Sequence, residues 1–190
     1  MTAAAHHTGE PMTLDEFLAL PVDNTYRYEL ADGELHVNAR PVQLHLRAGH
    51  RLVHQLNQQL PGGLEAFAEP DVVVKTDALK GRVRIPDVVV TASEWRDERR
   101  LAVDEVLLAV AIISPGSWRQ DLIVKPVEYA EAGIPHLWII SLADGPVTLA
   151  SYQLVEGDRH YRQRKPLTGV VDTDLPWPLS LDLDSLIAPR

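Results

Sequence analysis

Residues 106–113 read VLLAVAII, and this uninterrupted apolar run decides how the rest of the chain is arranged. A strand with apolar side chains on both of its faces must be covered on both faces. Strand-like runs at residues 64–76 and 83–91 precede it, and the run HLWIIS follows at residues 136–141. The sequence therefore predicts a sheet whose middle strand is fully buried.

Helical segments and hairpins surround these strands. Residues 41–60 carry apolar side chains at helical spacing, and a second helix is predicted within residues 114–133. Hairpins are predicted at residues 26–38 and 148–164. Helices and strands do not alternate regularly, so the pattern predicts a mixed α+β fold within the broad α/β class. The apolar positions of the first helix are Val42, Leu46, Val53, Leu56 and Leu60.

Length and composition predict a single domain. The 190 residues are 45% hydrophobic and 24% charged, which suits one domain over residues 12–190 behind a flexible tail, residues 1–11. The chain has no cysteine, no leader-like start and no apolar run that spans a bilayer, so a cytoplasmic protein without membrane contact is expected. The formal charge of -9 argues against a broad basic surface for nucleic acid, but clustered Lys and Arg residues leave a local groove open.

Three acids are candidates for chemistry. Asp71 and Asp87 open two copies of Pro-Asp-Val-Val-Val, which we interpret as two neighbouring strands entered in the same way. An acid at the mouth of a buried strand is held rigidly and stays open to a metal or substrate, but local sequence does not choose between the two. Glu29, in an apolar and aromatic setting, is either a metal ligand or a surface group.

Lys125 is the candidate basic group. It follows the apolar strand and precedes Pro126, so either a helix kinks there or the helix begins at the proline. In both cases its side chain can point back toward the end of the strand. The alternative is a surface ion pair with Asp121, which would stabilise little. His50 and His54 lie four residues apart, and without a third ligand they indicate a solvated helix face better than a metal site.

Three segments together resemble the Uma-two family of restriction-endonuclease-like proteins, a branch of the PD-(D/E)XK nuclease superfamily. They are YELADGEL at residues 28–35, IPDVVV at residues 85–90 and SPGSWRQDLIVKPVEYAEAGIPHLWII at residues 114–140. The resemblance covers about residues 13–187. It implies a restriction-endonuclease-like central mixed sheet flanked by helices, and hydrolysis of DNA that depends on Mg²⁺ or Mn²⁺. It also implies a homodimer, for which the apolar run VTLASYQL at residues 147–154 is a candidate edge.

The resemblance also implies a site, and one residue departs from it. Glu29 and Asp87 would hold the metal and take part in catalysis with Lys125, so Asp87 rather than Asp71 is the motif aspartate. The family glutamate on the strand that ends in Ser-Pro falls on Ala111, which offers no ligand. We therefore predict hydrolysis that is absent or severely reduced, with a non-catalytic DNA- or protein-binding module as the alternative. The substrate-binding positions implied by the resemblance are Ser114, Arg119 and Tyr129.

Overall fold

The structure, a computed structural model, describes residues 11–21, 25–92, 100–113, 124–142, 145–155 and 157–189. Strands are numbered β1 to β14 along the chain and form two main sheets and one separate hairpin. No helix within these described ranges is long and apolar enough to cross a membrane. The helices are α1 (Leu14–Leu18), α2 (Gln43–Asn57) and α3 (Lys125–Glu131), and the hairpin joins β13 (Val170–Thr173) to β14 (Leu179–Asp182).

The central sheet has seven strands in the described part of the chain. They are β3 (Leu64–Ala68), β6 (Val88–Ala92), β8 (Leu108–Ile113), β9 (His136–Ser141), β10 (Thr148–Leu154), β11 (Tyr161–Gln163) and β12 (Leu167–Thr168). Their order is β11-β10-β9-β8-β6-β3, with β12 beside β10. The strands β8 and β9 run parallel while β8 runs antiparallel to β6, so the sheet is mixed, as predicted.

The second sheet lies nearer the beginning of the chain and carries part of the candidate site. Its strands are β1 (Tyr26–Ala31), β2 (Glu34–Ala39), β4 (Asp71–Lys75), β5 (Arg82–Arg84) and β7 (Arg100–Ala102). They follow the order β2-β1-β5-β4-β7. Helix α1 packs on this sheet because its apolar side chains Leu14 and Phe17 join a buried cluster with Leu30 and Val83.

Strand β8 is covered on both faces, as its sequence predicts. All six of its residues are buried. Leu108, Val110 and Ile112 join the core cluster that contains the apolar face of α2. The alternate residues Ala109 and Ile113 join a second cluster on the opposite face, which contains Tyr129 of α3. The two helices therefore flank the central sheet from opposite sides.

The buried face of α2 differs from the predicted apolar stripe. Val42 precedes the helix and is 64% exposed, and of the five predicted positions only Leu56 is fully buried. Val53 and Leu60 are partly buried against the same core, so the predicted stripe is correct in part. It omitted Leu52 and the small residues Ala48 and Gly49, which also face the sheet. The buried residues of the helix are His45, Ala48, Gly49, Leu52 and Leu56.

The two Pro-Asp-Val-Val-Val copies do not form neighbouring strands, so that interpretation was wrong. Asp71 opens β4 in the second sheet, whereas Asp87 directly precedes β6 in the central sheet. The predicted run 64–76 breaks into β3 and β4 at Glu69, whose φ of 54° turns the chain from one sheet to the other. Each copy therefore enters its own sheet.

The run VTLASYQL is not a free edge of the sheet. It forms β10, which pairs with β9 on one side and with β11 and β12 on the other. An interior strand already has its backbone groups paired, so it cannot add a strand from a second copy. The predicted homodimer therefore has no support from this segment and stays a prediction.

Candidate functional site

Glu29 lies in the middle of β1 with its carboxylate buried in the protein. Its Oε1 accepts a hydrogen bond from the Ile85 N–H at 3.0 Å, and its Oε2 accepts one from Asn38 at 3.3 Å. Arg84 Nη1 lies 3.6 Å from Oε2, and Lys125 Nζ lies 3.9 Å from Oε1. Burial raises the pKa of Glu29, but the charges of Lys125, Arg84 and Arg27 and the Ile85 N–H together outweigh burial, and the pKa is lowered. Glu29 is therefore an ionised acid that accepts two hydrogen bonds and faces two cationic groups.

Asp87 occupies the mouth of β6 and is fixed by the neighbouring strand. Its N–H donates to the Val110 carbonyl at 3.0 Å, and its Oδ2 accepts from the Ile112 N–H at 2.6 Å. Its Oδ1 lies 2.9 Å from His45 Nε2 and 3.8 Å from Arg27 Nη1. Burial raises the pKa of Asp87, but the hydrogen bond and charge of His45, the charge of Lys125 and the Ile112 N–H together outweigh burial, so the net shift is downward.

Lys125 begins α3, with Pro126 in the first turn. Pro126 suits this position, because the first turn of a helix needs no N–H partner there. Residues 114–123 lie outside the described ranges, so the choice between a helix that begins here and one that kinks here stays open. The ammonium of Lys125 lowers the pKa of both Glu29 and Asp87, so all three charges lie near one another. Asp121, the alternative partner of Lys125, lies outside the described residues.

Ala111 lies between the two residues of β8 that hold Asp87. The carbonyl of Val110 and the N–H of Ile112 both bond to that aspartate, so position 111 directly borders it along the strand. The methyl group is 3% exposed and shares a strand face with Ala109 and Ile113. The structure thus brings Glu29, Asp87 and Lys125 together next to Ala111.

Among the site residues that were not found from the sequence, two belong to one buried ion pair. Arg84 Nε and Nη2 donate to Glu128 Oε2 and Oε1, each at 2.7 Å, and both residues are buried. Glu128 follows Lys125 by three residues, so one face of α3 presents both to the site. That spacing within KPVEY is the sequence signal that could have identified Glu128.

His45 was also missed. It lies in the first turn of α2, is buried, and contacts Asp87, 42 residues further along the chain. A histidine within a predicted apolar helix face is most often a core residue, and no local pattern distinguishes the two cases. The pair His50 and His54, which the sequence did single out, is exposed on the same helix.

The predicted substrate-binding residues have different outcomes. Tyr129 is fully buried, and burial raises the pKa of its hydroxyl, which has no hydrogen-bond partner among the described residues. The core covers this side chain in the structure, and a role for Tyr129 in substrate binding stays a prediction. Ser114 and Arg119 lie outside the described residues.

The donor set does not fit a resident divalent ion. Within the described ranges, no group of three or more His, Asp or Glu side chains is arranged to hold a metal. The four carboxylate oxygens of Glu29 and Asp87 already face N–H donors or cationic groups. Mg²⁺ requires oxygen ligands in near-octahedral geometry, and position 111 supplies only a methyl group.

Comparisons with known proteins agree with this architecture. Among solved structures, the chain is similar to one described as "a putative nuclease belonging to DUF820" from Anabaena variabilis, with a TM-score of 0.68 and 19% identity. That match covers 93% of this chain and 98% of the other, and it shows a shared restriction-endonuclease-like fold. No curated protein matches the chain. A family model described as "Putative restriction endonuclease" matches residues 14–184, which is most of the chain. The protein is therefore a nuclease-like member of the Uma-two family.

Proposed function

We propose that the chain is a single nuclease-type domain for DNA whose own phosphodiester hydrolysis is absent or severely reduced. The observation that carries the proposal is the gathering of Glu29, Asp87 and Lys125 beside Ala111. Two carboxylates and a lysine at the mouth of a sheet suit phosphodiester chemistry, and membership of the family makes DNA the expected substrate. What is lacking is a third carboxylate at position 111.

Hydrolysis of this kind draws on a divalent ion, Mg²⁺ or Mn²⁺, which activates water and stabilises charge on the phosphate. In this chain the cationic and N–H groups around the site already neutralise its carboxylates. Lys125 and Arg84 face Glu29, while Arg27 and His45 face Asp87. An added ion would have to displace them without the charge that a third acid would provide. Weak or absent metal binding therefore follows from the same arrangement as the loss of hydrolysis.

The test is the substitution Ala111→Glu. We expect it to raise Mn²⁺- or Mg²⁺-dependent nicking of a supercoiled plasmid by at least tenfold, because the new carboxylate would border Asp87. The matched control is Ala111→Gln, which has nearly the same shape without the charge, and the double variant Ala111→Glu with Asp87→Ala should lose the gain. Position 111 is buried, so circular dichroism and thermal unfolding must first show that each variant folds.

The shorter Ala111→Asp serves as a second variant if the glutamate is too large for the site. Folded variants with an acid at 111 that cleave neither DNA nor RNA in either ion would contradict the enzymatic part of the proposal. In that event the fold description would stand alone.

The second candidate is a non-catalytic binding module, with DNA or another protein as partner. The neutralised carboxylates favour it, because the centre is satisfied by its own side chains. Salt-sensitive binding of DNA without cleavage would support a DNA-binding module. A complex that forms without DNA would support a protein partner.

Assembly and location belong to the proposal as well. We expect a homodimer, and size-exclusion chromatography with light scattering at several concentrations would test this by measuring the molar mass. The lack of cysteine is consistent with a location in a reducing cytoplasm. Fractionation of the native cells would test this location.

A further inference from the structure

Tyr129 carries a buried hydroxyl that has no hydrogen-bond partner among the described residues. The side chain is fully buried, so solvent does not satisfy the hydroxyl either. Tyr161, which packs against the same core cluster, shows the usual arrangement, because its hydroxyl donates to the Ile134 carbonyl at 2.8 Å. Buried polar groups are nearly always paired, since an unpaired one keeps the full cost of its desolvation. The hydroxyl of Tyr129 therefore requires a specific explanation.

Three other buried side-chain atoms in the described part of the chain lack a hydrogen bond, and all three are arginine nitrogens. Each of them lies 3.5 Å from a carboxylate oxygen, on Glu69, Glu128 or Asp71, so an opposite charge compensates it. The hydroxyl of Tyr129 is neutral, so no ion pair compensates it in this way. The three nitrogens are Arg27 Nη2, Arg82 Nε and Arg100 Nε.

The side chain of Tyr129 lies over the strand face that carries Ala111. It shares a buried cluster with Ala109 and Ile113, which flank position 111 on the same face of β8. Long side chains of a helix lean toward its N-terminus, so the ring leans toward the turn of α3 that begins with Lys125. Lys125 belongs to the candidate site, so the ring leans toward that site from within the core.

The surroundings of the hydroxyl agree with this direction. Burial is the main cause of its raised pKa, and the charges that also act on that pKa all belong to the candidate site. Asp87 bonds to the residues on either side of Ala111, so a longer side chain at 111 would extend beside Asp87 toward α3. The hydroxyl is therefore a free donor on the side toward which such a side chain would extend. The charged residues are Lys125, Glu29, Arg84 and Asp87.

We propose that Tyr129 is a positioning residue for an acid at position 111, to whose carboxylate its hydroxyl would donate a hydrogen bond. This role rests on the proposed function, because it names the group that would hold the third carboxylate of the nuclease-type site. The methyl group of Ala111 accepts no hydrogen bond, which explains why the donor is unpaired. Tyr129 acts through residue 111 and needs no contact with DNA, in agreement with its complete burial.

The experiment measures thermal unfolding in double-mutant cycles that combine Tyr129→Phe with substitutions of Ala111. Tyr129→Phe alone should leave the midpoint unchanged or raise it by about 2–4 °C, because it removes an unpaired hydroxyl. In the Ala111→Glu background the same substitution should lower the midpoint by at least about 4 °C, because it breaks a hydrogen bond to a charged acceptor.

Controls separate the hydrogen bond from simple packing. Ala111→Gln keeps an acceptor and should couple to Tyr129→Phe in the same direction, so the cycle can be measured even if the glutamate prevents folding. Ala111→Leu fills the position without an acceptor and should show no coupling. Tyr161→Phe breaks the bond to the Ile134 carbonyl and should lower the midpoint equally in every background.

The same effect of Tyr129→Phe with alanine, glutamate and glutamine at position 111 would overturn the inference, as would equal coupling with leucine. The proposed function fails on a different observation, which is the absence of plasmid nicking by Ala111→Glu. If nicking is gained, Tyr129→Phe should lower kcat by at least about fivefold and leave KM for DNA within about twofold. A loss confined to KM would show that Tyr129 binds DNA directly, against the positioning role.

Discussion

Replacement of Arg84 by methionine probes the most deeply buried charges of the candidate site. The guanidinium makes two hydrogen bonds of 2.7 Å to Glu128, and its side chain is 5% exposed. Removing one partner of a buried ion pair leaves an uncompensated charge and costs about 3–5 kcal/mol. Some compensation remains, because Arg82 Nε lies 3.5 Å from Glu128 and Lys125 Nζ lies 3.9 Å from Glu29. We therefore expect a loss near the lower limit, about 3 kcal/mol.

That loss is large enough to measure in two ways. In a protein of this size, 1 kcal/mol shifts the midpoint of thermal unfolding by about 2–4 °C, so Arg84→Met should lower it by roughly 6–12 °C. Urea unfolding followed by circular dichroism gives the free energy directly. The double variant Arg84→Met with Glu128→Leu should recover much of the loss, because apolar residues of similar volume often replace a buried pair without penalty.

The matched control is the exposed pair of Arg164 and Asp174, whose side chains are 51% and 80% exposed. Arg164→Gln should change the free energy of unfolding by less than about 1 kcal/mol, since exposed pairs contribute little. A loss below 1 kcal/mol for Arg84→Met, equal to that control, would refute the buried pair. So would a double variant no more stable than the single one.

Two further predictions concern the packing and the pH dependence of the fold. Gly81→Ala should lower the free energy of unfolding in urea by about 1–3 kcal/mol, because the new Cβ would lie 2.8 Å from Leu14 Cβ. The control Gly62→Ala should be nearly neutral, because nothing lies within 4 Å of its new Cβ. Equal losses for the two variants would contradict the prediction. Burial raises the pKa of Asp87, but His45, Lys125 and the Ile112 N–H together lower it more. The stability that Asp87 contributes is therefore present above the unfolded pKa of about 3.9 and is lost as the pH falls through the folded value. Asp87→Asn should flatten this acid-induced loss between pH 5 and 2, and a curve parallel to the wild type would rule the explanation out.

Much of the fold is predictable because local sequence dictates it. The run VLLAVAII predicts a covered strand, and its residues 108–113 form one, while the strand HLWIIS appears at residues 136–141, as predicted. Sheet membership is a different matter, because it depends on pairing between distant strands. The two Pro-Asp-Val-Val-Val copies are locally the same, yet β4 pairs with β5 and β7 while β6 pairs with β3 and β8.

The same distinction between local sequence and contacts of distant residues applies to the candidate site. Its acids and its lysine stand in recognisable motifs, so resemblance to a family located Glu29, Asp87 and Lys125. The groups that contact these residues do not stand in recognisable motifs, because their partners are distant in the sequence. His45 lies 42 residues from Asp87, and Arg84 lies 44 residues from Glu128. Contacts between such distant residues form only when the sheets and helices pack together, so they cannot be predicted from a short segment of sequence.

The two hydrogen bonds between Asp87 and β8 have an evolutionary consequence. They use the carbonyl of residue 110 and the N–H of residue 112, so the side chain at 111 plays no part in holding the aspartate. A lineage can therefore exchange a glutamate there for alanine while the rest of the centre keeps its shape. Some alanine codons differ from a glutamate codon by a single base, so at such a codon one point mutation would place a carboxylate at position 111, next to an aspartate that is already held in position.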